Sequence, residues 1–198
     1  MTNLITGRQE EVKTLETLLQ SNQPELVAII GRRRVGKTFL VKQTYQNHLN
    51  FILTGIQHAT KSEQLQNFTF AMLNHFPDFE MEKKVTSWLD AFFQLSKALE
   101  ELNLSEKMVV FLDELPWLGS KRSGFIKGLS WFWNSWAVNQ NIVLVICGSA
   151  ASWMIDKVIN DKGGLHNRVT NLISLYPFPI LIFWTGKSHS RYRPFCRS

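Results

Sequence analysis

Short apolar runs alternate along this chain with longer stretches in which apolar residues recur every three or four positions. The runs predict strands at Glu25 to Ile30, Asn50 to Thr54, Met108 to Leu112, Asn141 to Cys147 and Thr170 to Leu175. The longer stretches predict helices at Arg8 to Gln20, Lys37 to Asn47, Lys61 to His75, Thr86 to Leu102, Ser123 to Val138 and Ser149 to Val158. Val12, Leu15 and Leu19 share one face of the first helix. Trp88, Phe92, Leu95, Leu99 and Leu102 share one face of the fourth, and Phe125, Leu129, Phe132 and Trp136 one face of the fifth. Strands that alternate with amphipathic helices are the signature of an α/β fold, a parallel sheet covered on both faces.

Trp131, Trp133 and Trp136 raise the question of a base-stacking surface. An aromatic stripe at helical spacing reads better as core, and Trp133, off the main stripe, is the tryptophan expected to be exposed.

The periodicity stops after Phe178. Residues 1–178 read as one domain of ordinary size. Residues 179–198 carry scattered aromatics and bases with neither period, and read as a disordered extension or, in the favoured reading, as an out-of-frame or truncated end.

Composition adds little to this picture. Apolar residues make up 44% of 198, enough for a sizeable core. The net charge of +6 is concentrated: residues 179–198 hold no acid and four bases, Lys187, Arg191, Arg193 and Arg197. The 22 bases less those four leave 18 against 16 acids, so support for DNA as a partner is weak. Cys147 and Cys196 form neither a disulfide framework nor a metal-ligand spacing. The first seven residues do not look like a signal peptide. The longest apolar stretch, Leu172 to Trp184, is shorter than the ~20 residues of a spanning helix and contains Pro177 and Pro179. A cytoplasmic location without membrane association is expected.

Gly31-Arg32-Arg33-Arg34-Val35-Gly36-Lys37-Thr38 fits G-x-x-x-x-G-K-[ST], between a predicted strand and a predicted helix. The glycines permit backbone angles and approaches that a side chain would block. The N–H groups between them then turn inward around phosphate oxygens, and the helix N-terminus adds positive charge. Lys37 is expected to reach the β- and γ-phosphates and Thr38 to offer its hydroxyl to Mg²⁺. The three arginine side chains are expected to face solvent or acidic neighbours, without catalytic work.

Asp113 and Glu114 end the apolar run from Met108. Acids at the end of a buried strand are costly unless they meet a cation. Asp113 is the expected second holder of Mg²⁺, and Glu114 the group that orients or deprotonates the attacking water. Ser149 ends the fourth strand and is read as sensing the γ-phosphate or holding the lytic water, or as capping the next helix, two compatible readings. Arg168 precedes the fifth strand and is read either as reaching transition-state charge, on its own nucleotide or a neighbour's, or as forming a structural salt bridge. His166 and Asn167 have no assignable role.

Four stretches together resemble the archaeal-type ATPases of the STAND branch of AAA-like P-loop proteins: Ile5-Thr6-Gly7-Arg8, GRRRVGKTFL from Gly31, VVFLDELPWL from Val109 and CGSAASWM from Cys147. Leu165 to Phe178 adds a looser match that contains Arg168. The resemblance covers about residues 4–178. It implies a three-layer P-loop sandwich with a five-stranded parallel sheet in the order 5-1-4-3-2. It also implies ATP as nucleotide, with Gly7 and Arg8 near the adenine. Members of that group continue into a helical lid, a winged helix and often a nuclease-like domain. Here the lid is expected to be absent, because the chain departs from the pattern past Phe178.

The leading expectation is an ATP-binding ATPase domain, Mg²⁺-dependent, that acts as a conformational switch read by a protein partner or further domains. An ATP-binding module without turnover, a small-molecule kinase and a DNA-binding module are the competing readings.

Overall fold

The computed structural model describes residues 7–102, 104–120, 122–160, 164–165 and 167–178. Ile5, Thr6, Gly163, His166 and the whole 179–198 tail with Cys196 lie outside the described residues. Five parallel strands form one sheet in the order β2-β3-β4-β1-β5: β1 Glu25–Gly31, β2 Leu49–Thr54, β3 Met108–Asp113, β4 Ile142–Gly148 and β5 Asn171–Leu175. Read from its other edge, this is the expected order.

Strand alternation sorts the core into two clusters. Leu26, Ala28, Val110, Leu112, Leu144 and Ile146 face helices α3 (Lys61–His75), α4 (Trp88–Glu101) and α6 (Phe125–Trp131). Val27, Ile29, Val109, Phe111, Val143 and Val145 face α1 (Gln9–Gln20) and α2 (Lys37–Thr44). The expected three-layer sandwich is thus present, with the central strands β1, β3 and β4 buried on both faces. Tyr45 fastens the second layer, donating its hydroxyl to the Leu15 carbonyl at 2.8 Å from a fully buried position.

Helix starts follow local chemistry. Thr60 accepts from the Glu63 N–H, while the Glu63 carboxylate accepts from the Thr60 N–H, so a capping box opens α3. Ser87 caps α4 through the Asp90 N–H.

Three expectations need correction. The helix from Lys37 stops at Thr44, and a turn at residues 45–48 brings the chain into β2. The helix expected at Ser123 to Val138 starts at Phe125 and passes into a wider π-type turn at Phe132–Trp136. That wider turn shifts the angular phase, so Trp133 is only 2% exposed. With Trp133 and Trp136 buried and Trp131 half-buried against it, the cluster is core. The helix expected from Ser149 is a short α7 (Ala151–Met154) followed by a second π-type turn. Among the described residues no helix is long and apolar enough to cross a membrane.

Candidate nucleotide site

All five strands run the same way, so the loops after β1, β3 and β4 leave one edge of the sheet together. The loop from Gly31 to Thr38 follows β1 and ends on the first turn of α2. A Cβ at Gly31 would lie 2.5 Å from the Leu175 carbonyl oxygen on the neighbouring strand, so only glycine passes there. Arg34 and Gly36 take φ of 65° and 92°, the left-handed values that curl the loop. Lys37 is 5% exposed and donates to the carbonyls of Gly31 (2.9 Å) and Arg32 (3.1 Å), so its ammonium lies folded across the loop.

Asp113 ends β3 at 3% exposure. Its two oxygens are used separately: Thr38 donates its hydroxyl to Oδ2 at 2.7 Å, and the Glu114 N–H donates to Oδ1 at 2.9 Å. Burial pushes the carboxyl's pKa up, while those two hydrogen bonds and Lys37 pull the other way. A hydroxyl and a carboxylate oxygen in contact are hard donors that suit Mg²⁺. Among the described residues no three His, Cys, Asp or Glu side chains gather. The pair Thr38 and Asp113 would therefore leave most of an octahedron to phosphate and water, which Mg²⁺ prefers.

Glu114 has φ 51°, a left-handed conformation that costs a non-glycine residue energy and turns its side chain out of the strand line. Its Oε2 accepts from the Ser149 hydroxyl at 2.9 Å. Ser149 is thus joined to Glu114, and the capping reading fails: Ala150 precedes α7 and no side chain caps that helix. Lys37, Thr38 and Glu114 line one cleft of about 460 Å³ together with Arg33, Arg34, Gly36, Phe39 and Trp117. The sequence-predicted loop and acid pair therefore meet in one place.

Other candidates fall elsewhere. Arg32, Arg33 and Arg34 are exposed, as expected, but the Arg33 guanidinium also lies 5.1 Å over the Trp117 ring. Val35 packs its side chain on the α1–α2 side of the core. Gly7 and Arg8 sit beside the end of β5: Arg8 donates to Glu11 (3.1 Å) and to the Tyr176 carbonyl, and covers the Phe178 ring at 4.4 Å. They flank the β1–β5 side of the loop and do not line the cleft. Arg168 is exposed in the turn before β5, two residues ahead of Thr170, whose N–H and hydroxyl both donate to the Leu26 carbonyl. That is the opposite edge of the sheet from the loop. Among the described residues it makes no ion pair.

Two features of the site were missed. Leu115–Leu118 forms a helical turn, α5, that carries Trp117 into the cleft, and Pro116 in its first turn was the available signal. Gln64, 2% exposed on α3, accepts from the Ile56 N–H (3.2 Å) and donates to the carbonyls of Ile56 (2.6 Å) and Trp117 (3.2 Å). Gly55 in turn donates to the Asp113 carbonyl at 2.9 Å. Gln64 thereby pins the loop after β2 to the turn that bears Trp117. A polar residue in step with the apolar Phe68 and Met72 was its signal.

The family described as an ATPase domain predominantly from Archaea matches residues 5–185. An uncharacterized protein of Methanocaldococcus jannaschii is 27% identical over 176 residues, 88% of this chain and 36% of that protein. An uncharacterized ATP-binding protein of the same organism is 41% identical over 44 residues, 22% of this chain and 75% of that protein. The Walker-type ATPase PABY2304 of Pyrococcus abyssi shares the fold, with a TM-score of 0.62 and 22% identity over 88% of this chain and 54% of that one. The chain thus spans about a third of the first relative and about half of the solved ATPase.

Proposed function

The chain belongs to the family of ATPase domains found predominantly in Archaea, and on that premise we propose that it hydrolyses ATP with Mg²⁺ and uses turnover as a conformational switch for a protein partner or further domains. It is an ATP-binding Walker-type ATPase domain of α/β fold. The observation that carries the finer reading is the 2.7 Å contact between Thr38 and Asp113, which joins the phosphate loop to the acid pair across 75 residues of chain.

The chain's own groups divide the work. The inward N–H groups of the loop and the α2 N-terminus receive the phosphate oxygens. Lys37 exchanges its two carbonyl partners for β- and γ-phosphate oxygens, gaining charged acceptors for neutral ones. Thr38 and Asp113 would hold Mg²⁺, which would supply positive charge to offset that of the phosphate oxygens. Glu114, steadied by Ser149, accepts a proton from the attacking water as its oxygen bonds to the γ-phosphorus and the bond to the β–γ bridging oxygen breaks. Trp117 and Arg33 wall the cleft on the α5 side.

Phosphate release from Mg·ATP tests this reading. Glu114→Gln is expected to keep ATP binding and to lower turnover by at least about a hundredfold, the scale of losing a group that acts on the transition state. Equal turnover in that variant would remove Glu114 from the mechanism. Nucleotide-dependent thermal stabilisation of the wild-type chain without phosphate release would select a binding module without turnover.

A further inference from the structure

Helix α3 turns Leu65, Phe68 and Met72 to the core. Its outer face leaves Phe70 and Leu73 54% and 51% exposed. Phe70 and Gln66 are shared walls of two clefts. One, of about 790 Å³, lies between α3 and the 81–86 segment and is floored by Leu65, Met81 and Val85. The other, of about 330 Å³, runs on past Asn67 to Ile56 and His58. The two clefts flank the Gln66 and Phe70 ridge and together form a groove across the outer face of α3 over residues 61–70. An apolar cleft rimmed by polar side chains has the shape to receive the anchors of a peptide.

Charge narrows the occupant. The charged side chains lining the larger cleft are Lys61, Lys83 and Lys84. Lys83 is engaged by Asp90 at 3.0 Å, whereas Lys61 and Lys84 have no ion pair among the described residues. Glu63 lines the smaller cleft, but its carboxylate is taken up by the N–H and hydroxyl of Thr60. The 179–198 segment, with four bases and no acid, has the wrong sign to lie there. A nucleic-acid strand would use the lysines but only one stacking ring, and would leave Leu65, Met81 and Val85 without a counterpart.

We propose that this groove along α3 is a docking site for an acidic, apolar-anchored peptide segment of a partner protein, with Phe70 as the central contact and Lys61 and Lys84 reading the acids. It goes beyond the ATPase reading and stands without it. Gln64, on the buried side of the same helix, bonds to the Trp117 carbonyl and so ties the helix that carries the groove to the turn that walls the nucleotide cleft.

A display library of random 16-residue peptides selected on the full chain tests this. Synthesised winners are then measured by fluorescence anisotropy against the wild type, Phe70→Ser and the double variant Lys61→Glu/Lys84→Glu. All three positions are exposed, and a glutamate in the first turn of α3 suits the helix N-terminus, so the double variant keeps its fold. Winners are expected to carry two or more acids beside apolar anchors, and to bind each variant at least about tenfold more weakly. Winners without acids, or winners that bind both variants as well as the wild type, would overturn the proposal. So would binding of a twenty-residue oligo-dT that both variants abolish, which makes a nucleic acid the occupant. A wild-type dimer in sedimentation that Phe70→Ser dissociates would make it a second copy of this chain.

Discussion

Lys37 and Lys107 sit at opposite edges of the same sheet, and each sends a nearly buried ammonium to two backbone carbonyls. Lys37 donates to Gly31 and Arg32, and Lys107 donates to Ser21 and Gln23 at 2.8 and 2.6 Å. Each edge also buries an acid at a strand end: Asp113 at one, and at the other Glu25, which accepts from the Ser21 hydroxyl at 2.7 Å. The helix end beside each cation separates them. Lys107 lies where α1 finishes, with Ser21 as the residue that closes that helix, so it meets the negative end of a dipole and terminal carbonyls that want donors. Lys37 lies in the first turn of α2, at the positive end, among N–H groups that a curled loop turns inward. A cation there works against the dipole, and an anion bound beside it would offset that opposition. The same side chain is therefore a structural pin at one edge and, on the function proposed above, a phosphate ligand at the other.

That contrast can be broken by exchanging readouts. Lys37→Ala is expected to weaken ATP binding by at least about a hundredfold, the scale for losing a charged donor to phosphate, while Tm stays within a few degrees. Titration calorimetry and a thermal melt measure both. Lys107→Ala is expected to do the reverse. It leaves two carbonyls without their donor and removes the positive charge near Glu25, costing about 2 kcal/mol in urea unfolding with ATP affinity unchanged. Loss of ATP binding in this second variant would erase the distinction between the two edges.

Smaller effects sharpen it. Gln64→Leu removes the pin between α3 and the Trp117 turn, and is expected to lower kcat about tenfold with nucleotide affinity kept, alongside a change in tryptophan emission. Unchanged kcat with unchanged emission would make Gln64 an ordinary buried residue. Asp113→Asn relieves the burial that raises this carboxyl's pKa. It is expected to stabilise the fold by about 1 kcal/mol, a Tm rise of about 2–4 °C, while stabilisation by Mg·ATP is lost. A lower Tm would mean that Asp113 contributes more to the fold than its burial costs.

Much of this was legible in the chain. The five apolar runs are the five strands: β1, β3 and β4 are buried on both faces and read as continuous apolar runs, while the edge strands β2 and β5 bury alternate residues. The loop from Gly31 and the acids after Leu112 were legible because phosphate chemistry restricts residue type and spacing together. Trp133 was misplaced because periodicity assumes 3.6 residues per turn, and a π-type turn changes the phase where sequence carries no marker for it. Gln64 was passed over because its partners, the Ile56 backbone and the Trp117 carbonyl, become neighbours only after α3 packs beside β2.

Sequence by itself determined the five strands, the loop with the spacing to receive phosphate and the acids at the end of β3, since each rests on local pattern and short-range chemistry. Tertiary structure alone decided that Thr38 meets Asp113, that Ser149 holds Glu114 instead of capping a helix, and that Arg168 lies at the far edge from the loop. Those outcomes depend on strand order and direction, which arise when the whole sheet assembles and cannot be stated by any one segment.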